Sequence, residues 1–158
     1  MFITLFATHQ IERNVIVFCH CFGDLMAVQP RNDMPENLPT ILCIDDEEPG
    51  LEMRRILLEA AGYRVITARS GREGIRIFNS EKIDAVILDY WMAGMNGIAV
   101  ARQLKHSNPA MPIIMLSAYG TILDEALGVA DVWIRKGEED PQYLLARLKE
   151  MLESRSEK

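Results

Sequence analysis

The stretch AVILDYWMAGMNG, residues 85–97, runs four aliphatic residues into an aspartate, Asp89, and closes on small and turn-forming residues. A short apolar run bounded by turn signals reads as a strand buried on both faces. Taken alone, Asp89 could be an ordinary turn former at the end of such a strand. Its meaning depends on what stands at the ends of the other apolar runs.

The central run reads as a strand over DAVIL (84–88), and four more runs share its character: TILCI (40–44), RVITA (64–68), PIIML (112–116) and DVWIR (131–135). Helical signals alternate with them. EPGLEMRRILLEAAG carries Leu51, Arg54/Arg55 and Leu58 at helical spacing and stops at Gly62. Ser70 is placed as the N-cap of SGREGIRIFNS, and GIAVARQLKHSNP ends against Pro109. YGTILDEALG is the shortest pattern and ends at Gly128, while DPQYLLARLKEMLES opens with Asp140 as N-cap and Pro141 in the first turn. Leu57, Leu58, Leu144, Leu145 and Leu148 fall on the core-facing sides of amphipathic helices. Strand alternating with helix five times predicts an α/β fold, a doubly wound parallel sheet with helices on both faces.

A chain of 158 residues holds one ordinary domain, and 49% hydrophobic with 25% charged residues is the balance of a globular protein. The net charge of −6 argues against nucleic-acid binding. Cys19, Cys21 and Cys43 give an odd count without framework spacing, which predicts reduced thiols and a cytoplasmic setting. No apolar run reaches the ~18 residues of a membrane span. The start, MFITLFATHQIER, lacks a basic segment before its apolar run, so a secretory signal is not expected. Residues 1–38 form an extension with no clean period that closes in QPRNDMPENLP. It is expected to be disordered or an artefact of start-site choice, ahead of a domain at 39–156. FCHCF (18–22) lacks a second ligand pair at metal-finger spacing and reads as incidental.

In an open parallel sheet, ligands bind beyond the carboxyl ends of the strands, where strand order reverses. After the first run come Asp45, Asp46, Glu47 and Glu48; after the third, Asp89; after the fourth, Ser117; after the fifth, Lys136. The second run offers only Arg69 and Ser70, as an edge strand in the order 2-1-3-4-5 would. Three convergent carboxylates repel one another unless a cation joins them, and hard oxygen ligands suit Mg²⁺. Lys136 is a point charge suited to a phosphoryl group, and the Ser117 hydroxyl can hydrogen-bond it. An aspartate held by such cations is a competent carboxylate nucleophile. Each residue also has an ordinary reading: the acids as helix N-terminal charges, Asp89 and Ser117 as caps, Lys136 as a solvated charge. Their joint placement at the ends of the right strands favours a site.

The pieces ILCIDDEE, AVILDYWMAGMNG, PIIMLSA and DVWIRKG, in this order, resemble the receiver domain of two-component response regulators, over about Leu38 to Ser154. The resemblance implies a flavodoxin-like (βα)5 fold and a single-domain type. It makes Asp89 the phosphoacceptor, Asp46 a direct Mg²⁺ ligand, and Asp45 a ligand acting through water or hydrogen bonds. The backbone carbonyl of Trp91 would be a third ligand. Ser117 matches the switch hydroxyl, Trp133 the switch aromatic and Lys136 the motif lysine. Trp91 and Tyr119 stand at the positions that tune dephosphorylation. As large aromatics, they imply slow loss of the phosphoryl group.

The implied donor is a sensor histidine kinase or histidine phosphotransfer protein. Output would be to a downstream protein partner, with neither nucleic acid nor membrane involved. The reading surface, or a homodimer contact, would be the face formed by the fourth helical segment, the fifth strand and the last helix. Such a chain is not an enzyme acting on a separate substrate; it catalyses only its own aspartyl phosphorylation and dephosphorylation. Three features depart from the family pattern: Gly137 follows the lysine where proline is usual, Ala93 stands where proline is common, and Ser117 to Lys136 is a few residues short. The tail SRSEK is too short for an output domain.

Other classes fit less well. A haloacid-dehalogenase-like phosphohydrolase would want an aspartate where Trp91 stands, and DDEEPG after the first strand would repel a pyrophosphate. The rival is a receiver-fold interaction module that is not phosphorylated.

Overall fold

The computed structural model describes residues 38–118, 128–137 and 140–156. The extension before Leu38, the FCHCF cluster, Tyr119 and the fourth helical segment lie outside the described residues. The elements are β1 (Thr40–Ile44), α1 (Glu48–Ala60), β2 (Arg64–Ala68), α2 (Gly71–Ser80), β3 (Ala85–Asp89), α3 (Gly97–Ser107), β4 (Ile113–Ser117), β5 (Val132–Arg135) and α4 (Pro141–Ser156). All strand pairs are parallel, in the order β2-β1-β3-β4-β5. The expected order is therefore found, with β2 at one edge.

Side chains alternate across each strand, and in β1, β3 and β4 both sets are buried. Leu42, Ile44, Val86, Leu88, Ile113 and Met115 pack with Ile77 of α2 and Ile98, Ala101 and Leu104 of α3. Ile41, Cys43, Ala85, Ile87, Ile114 and Leu116 pack on the other side with Leu51 and Leu58 of α1 and Leu144 and Leu148 of α4. This two-sided burial is why the central strands read as unbroken aliphatic runs. Burial pushes the Cys43 thiol up to about 12, against the pull of Arg54, so it stays protonated beneath the sheet end.

Local signals set the helix ends. The Ser70 hydroxyl accepts from the Glu73 amide at 3.3 Å and starts α2. Asn96 caps α3 through the Ala99 amide at 2.9 Å, and the Asp140 carboxylate accepts from the Gln142 amide at 3.0 Å ahead of α4. Gly62, with φ at 90°, turns the chain out of α1.

Three strands sit slightly later than the sequence predicts. β3 runs to Asp89 because the ladder continues to its end, with Asp89 opposite Leu116 and the Tyr90 amide donating to the Leu116 carbonyl at 2.8 Å. β4 starts at Ile113 because Pro112 lacks an N–H; only its carbonyl joins, taking the Val86 amide at 2.9 Å. Asp131 precedes β5 and uses its carboxylate on the Ile113 amide at 2.8 Å.

The loop after β3 folds back tightly. The Gly97 amide donates to the Tyr90 carbonyl at 2.8 Å, and a Cβ at residue 97 would collide with the Asp89 carbonyl and stand 3.0 Å from the Tyr90 Cα. Neither atom can move without shifting the end of β3. Gly97→Ala is therefore expected to destabilise the domain by about 1–3 kcal/mol. A thermal melt should show the midpoint lowered by roughly 5 °C or more.

Candidate functional site

Strand register assembles the site. Ile44 pairs with Leu88, so the next residue of each strand, Asp45 and Asp89, lie side by side at the sheet's carboxyl edge. Ser117 pairs with Arg135, and the amide of the following residue, Lys136, donates to the Ser117 carbonyl at 2.8 Å. Neighbouring strands are ~4.8 Å apart, so a group on β5 must reach across β4 to meet β3 and β1. A lysine is long enough. Lys136 Nζ lies 2.8 Å from Asp89 Oδ1 and 3.0 Å from Asp45 Oδ2, with Glu47 Oε2 at 4.0 Å.

The carboxylates differ in surroundings. Asp45 is fully buried; its Oδ1 accepts from the Glu47 amide at 2.9 Å, and its Oδ2 takes both Lys136 and the guanidinium of Arg54. Asp89 is 4% exposed. Asp46 is exposed, and its Oδ2 accepts from the Ala93 amide at 2.8 Å, which ties the loop after β3 to the end of β1. One carboxylate oxygen from each of Asp45, Asp46 and Asp89 lies within 4.8 Å of the others. Three anionic oxygens at that spacing, one of them solvent-facing, fit a hard divalent ion that keeps part of its water shell.

Burial pushes the Asp89 carboxyl above the ordinary aspartate range; the hydrogen bond from Lys136 opposes this and the charge of Asp45 adds to it. For Lys136, burial alone would lower the ammonium. The hydrogen bonds to Asp89 and Asp45 outweigh that and hold it above the usual lysine value.

Of the residues expected from the sequence, Asp45, Asp46, Asp89 and Lys136 come together. Ser117 is buried at the end of β4, beside them. Trp133 is half-buried against the core, and Trp91 is 58% exposed. Tyr90 joins the two: its ring centroid is 5.2 Å from that of Trp91, edge-on, and 6.0 Å from that of Trp133.

Sequence reasoning passed over Tyr90, Gly97 and Arg54. Arg54 carried a signal, since an arginine stands between Leu51 and Leu58 on the stripe that faces the core. Gly137, the departure after the lysine, has φ at 87°, a left-handed conformation that glycine adopts without strain.

Comparison with known proteins gives this geometry a family. A description of the response regulator receiver domain matches residues 41–136, from the first strand to the lysine. The chain belongs to the response regulator receiver family. The transcriptional regulatory protein GlrR of Escherichia coli is 41% identical over 87 residues, which are 54% of this chain and 20% of that protein. The alkaline phosphatase synthesis transcriptional regulatory protein PhoP of Bacillus subtilis is 38% identical over 115 residues, 71% of this chain and 48% of that one. The chain thus spans half or less of the length of these curated relatives.

Among solved structures, a CheY-like receiver domain protein from Methanospirillum hungatei superposes with a TM-score of 0.72 at 27% identity, covering 77% of this chain and 98% of that one. TrrA from Thermotoga maritima, solved with Mg(2+)-BeF, gives 0.67 at 31% identity, covering 72% and 99%. Receiver domains bind Mg²⁺ at an acidic pocket and interact with histidine kinases and downstream effectors. Because both curated relatives are transcriptional regulators by name, the acidic charge of this chain carries no weight against a nucleic-acid-binding partner. No helix among the described residues is long and apolar enough to cross a membrane.

Lys136→Ala is expected to leave Asp89 and Asp45 short of a cation and to cost about 1–3 kcal/mol at pH 7. Losing the lysine raises the Asp89 pKa further above its unfolded value. The folded state then binds the extra proton, so the deficit relative to wild type shrinks as pH falls through the raised pKa and is full above it. Chemical denaturation of both proteins between pH 4 and pH 8 measures this.

Proposed function

We propose that this chain is the phosphoacceptor of a two-component relay, taking a phosphoryl group from a phosphohistidine onto Asp89 and passing the signal through protein contacts. The observation that carries the reading is Lys136, held 2.8 Å from Asp89 and 3.0 Å from Asp45 beside an acid cluster fit for Mg²⁺.

An Asp89 carboxylate oxygen attacks phosphorus in line. The bond from phosphorus to the donor's imidazole nitrogen breaks, and that nitrogen keeps the electron pair. Asp89 is thereby converted to an acyl phosphate. Lys136 and the Ser117 hydroxyl would hold the phosphoryl oxygens, and Asp46 with Asp45 and the Trp91 carbonyl would hold the metal. Bound Mg²⁺ supplies positive charge to the phosphoryl oxygens as charge shifts between donor and acceptor.

Drawing Lys136 and Ser117 toward the phosphoryl group is a local charge event, and Trp133 is the residue placed to convert it into repacking near β5. Tyr90, in ring contact with both Trp91 and Trp133, links the acceptor loop to that movement. On α1, next to the acids, Met53 and Ile56 are exposed and offer apolar surface to a donor protein. Such a chain turns over no separate substrate; its chemistry is confined to its own aspartate.

With acetyl phosphate and Mg²⁺, wild type should take up label, whereas Asp89→Asn and Asp46→Ala should take up almost none while keeping the wild-type fold by circular dichroism. Full labelling of Asp89→Asn would place the acceptor elsewhere. A chain that takes no label from acetyl phosphate or from any histidine kinase would be an unphosphorylated interaction module.

Hydrolysis needs a water in line with phosphorus, and Trp91, exposed and two residues after Asp89, has no carboxylate or amide to orient that water. Trp91→Asn is therefore expected to shorten the half-life of the label, followed by loss of phosphate in excess Mg²⁺. Tyr119→Glu should shorten it further.

A further inference from the structure

Phosphotransfer as described gives Arg54 no task, yet α1 is built around it. Arg54 sits on the core-facing stripe with Leu51 and Leu58 and is only 8% exposed. Its guanidinium pairs with Asp45 Oδ2, the oxygen that also takes Lys136 Nζ at 3.0 Å. Residue 50, one helical turn earlier, has no side chain. A Cβ there would stand 3.2 Å from Arg54 Nη2, 3.4 Å from Nη1 and 3.5 Å from Asp45 Oδ2. Glycine weakens a helix, so its use in the first turn of α1 makes sense as space for the guanidinium.

The charge balance shows what the arginine changes. Asp45, Asp46 and Asp89 bring three negative charges, and Lys136 and Arg54 return two. Counted over these five groups, with the solvent-exposed Glu47 carboxylate 4.0 Å from Lys136 set aside, one net negative charge is left; without Arg54 two would be left. Any divalent cation entering the acids must therefore approach a fixed positive group. When Lys136 turns toward a phosphoryl group, Asp45 still has a cation on Oδ2.

We propose that Arg54 is a positioning residue and fixed counter-charge: it holds Asp45 and sets the Mg²⁺ affinity of the pocket below what the three carboxylates would give with Lys136 alone. This rests on the reading of Asp45, Asp46 and Asp89 as the Mg²⁺ site. A unit charge roughly 6 Å from a divalent ion, even in a water-like dielectric, shifts binding about tenfold.

The test is calorimetric titration of MgCl₂ into the unphosphorylated full chain at fixed ionic strength, with a thermal melt of each protein in EDTA to establish folding. Arg54→Leu and Arg54→Gln should bind Mg²⁺ roughly tenfold more tightly than wild type, and Arg54→Lys should stay within about twofold of it. The glutamine variant keeps a polar, similarly sized group beside Gly50 and serves if the leucine variant does not fold. Wild-type affinity in the folded neutral variant would overturn the inference while leaving the Mg²⁺ site standing. So would tightening in Arg54→Lys equal to that in Arg54→Gln, since charge would then not be the cause. Asp46→Ala is the control for the site: if wild type and all Arg54 variants bind as poorly as it does, the Mg²⁺ reading and the inference fall together.

Discussion

Repulsion among three aspartates is the constraint on which this molecule turns. A parallel sheet covered on both faces delivers Asp45 and Asp89 to the same edge by register, and the loop after β1 adds Asp46. Gathering like charges at low solvent exposure is costly unless cations are brought to them. The chain meets that cost from two directions. Lys136 comes across β4 from the end of β5, and Arg54 comes up from α1. Among the described residues neither cation pairs with Asp46, which faces solvent and accepts from the Ala93 amide. The result is a pocket with residual negative charge and an open side, suited to take up a further cation.

Much of the remaining architecture serves that edge. Gly97 lets the chain after β3 pass against the Asp89 carbonyl, and the Asp46 carboxylate pins the same loop at Ala93. The Lys136 amide is fixed to the Ser117 carbonyl, so the lysine enters from an anchored backbone with its ammonium on Asp89 and Asp45. The aromatic contacts from Trp91 through Tyr90 to Trp133 extend the site sideways along the sheet edge.

The sequence made the sheet legible because both faces of its central strands are buried, which leaves short aliphatic runs alternating with helical patterns and bounded by turn residues. Asp45, Asp46, Asp89 and Lys136 were legible because each is polar and directly follows, or ends, such a run. Strand bounds slipped by a residue at β3, β4 and β5, where a ladder hydrogen bond or a proline's missing N–H decides the matter and hydrophobicity does not. Arg54 was missed as a site residue for a different reason. On a helix of mixed charge, Arg54 and its exposed neighbour Arg55 look alike in sequence, and only the packing of α1 shows which one turns inward. Tyr90 and Gly97 likewise depend on which strands and loops lie next to one another, information that no local pattern contains.

If Asp89 is the phosphoacceptor, Lys136 is shared between Asp89 and Asp45 only until a phosphoryl-like group arrives. A crystal structure of this chain with Mg²⁺ and beryllofluoride, a phosphoryl mimic, tests it directly. The mimic is expected on an Asp89 carboxylate oxygen, the metal beside Asp46 and Asp89, and Lys136 Nζ moved from Asp45 onto a fluorine, with Asp45 still paired to Arg54. Saturating Mg²⁺ and beryllofluoride with no density on Asp89, and Lys136 unmoved between the two aspartates, would contradict it.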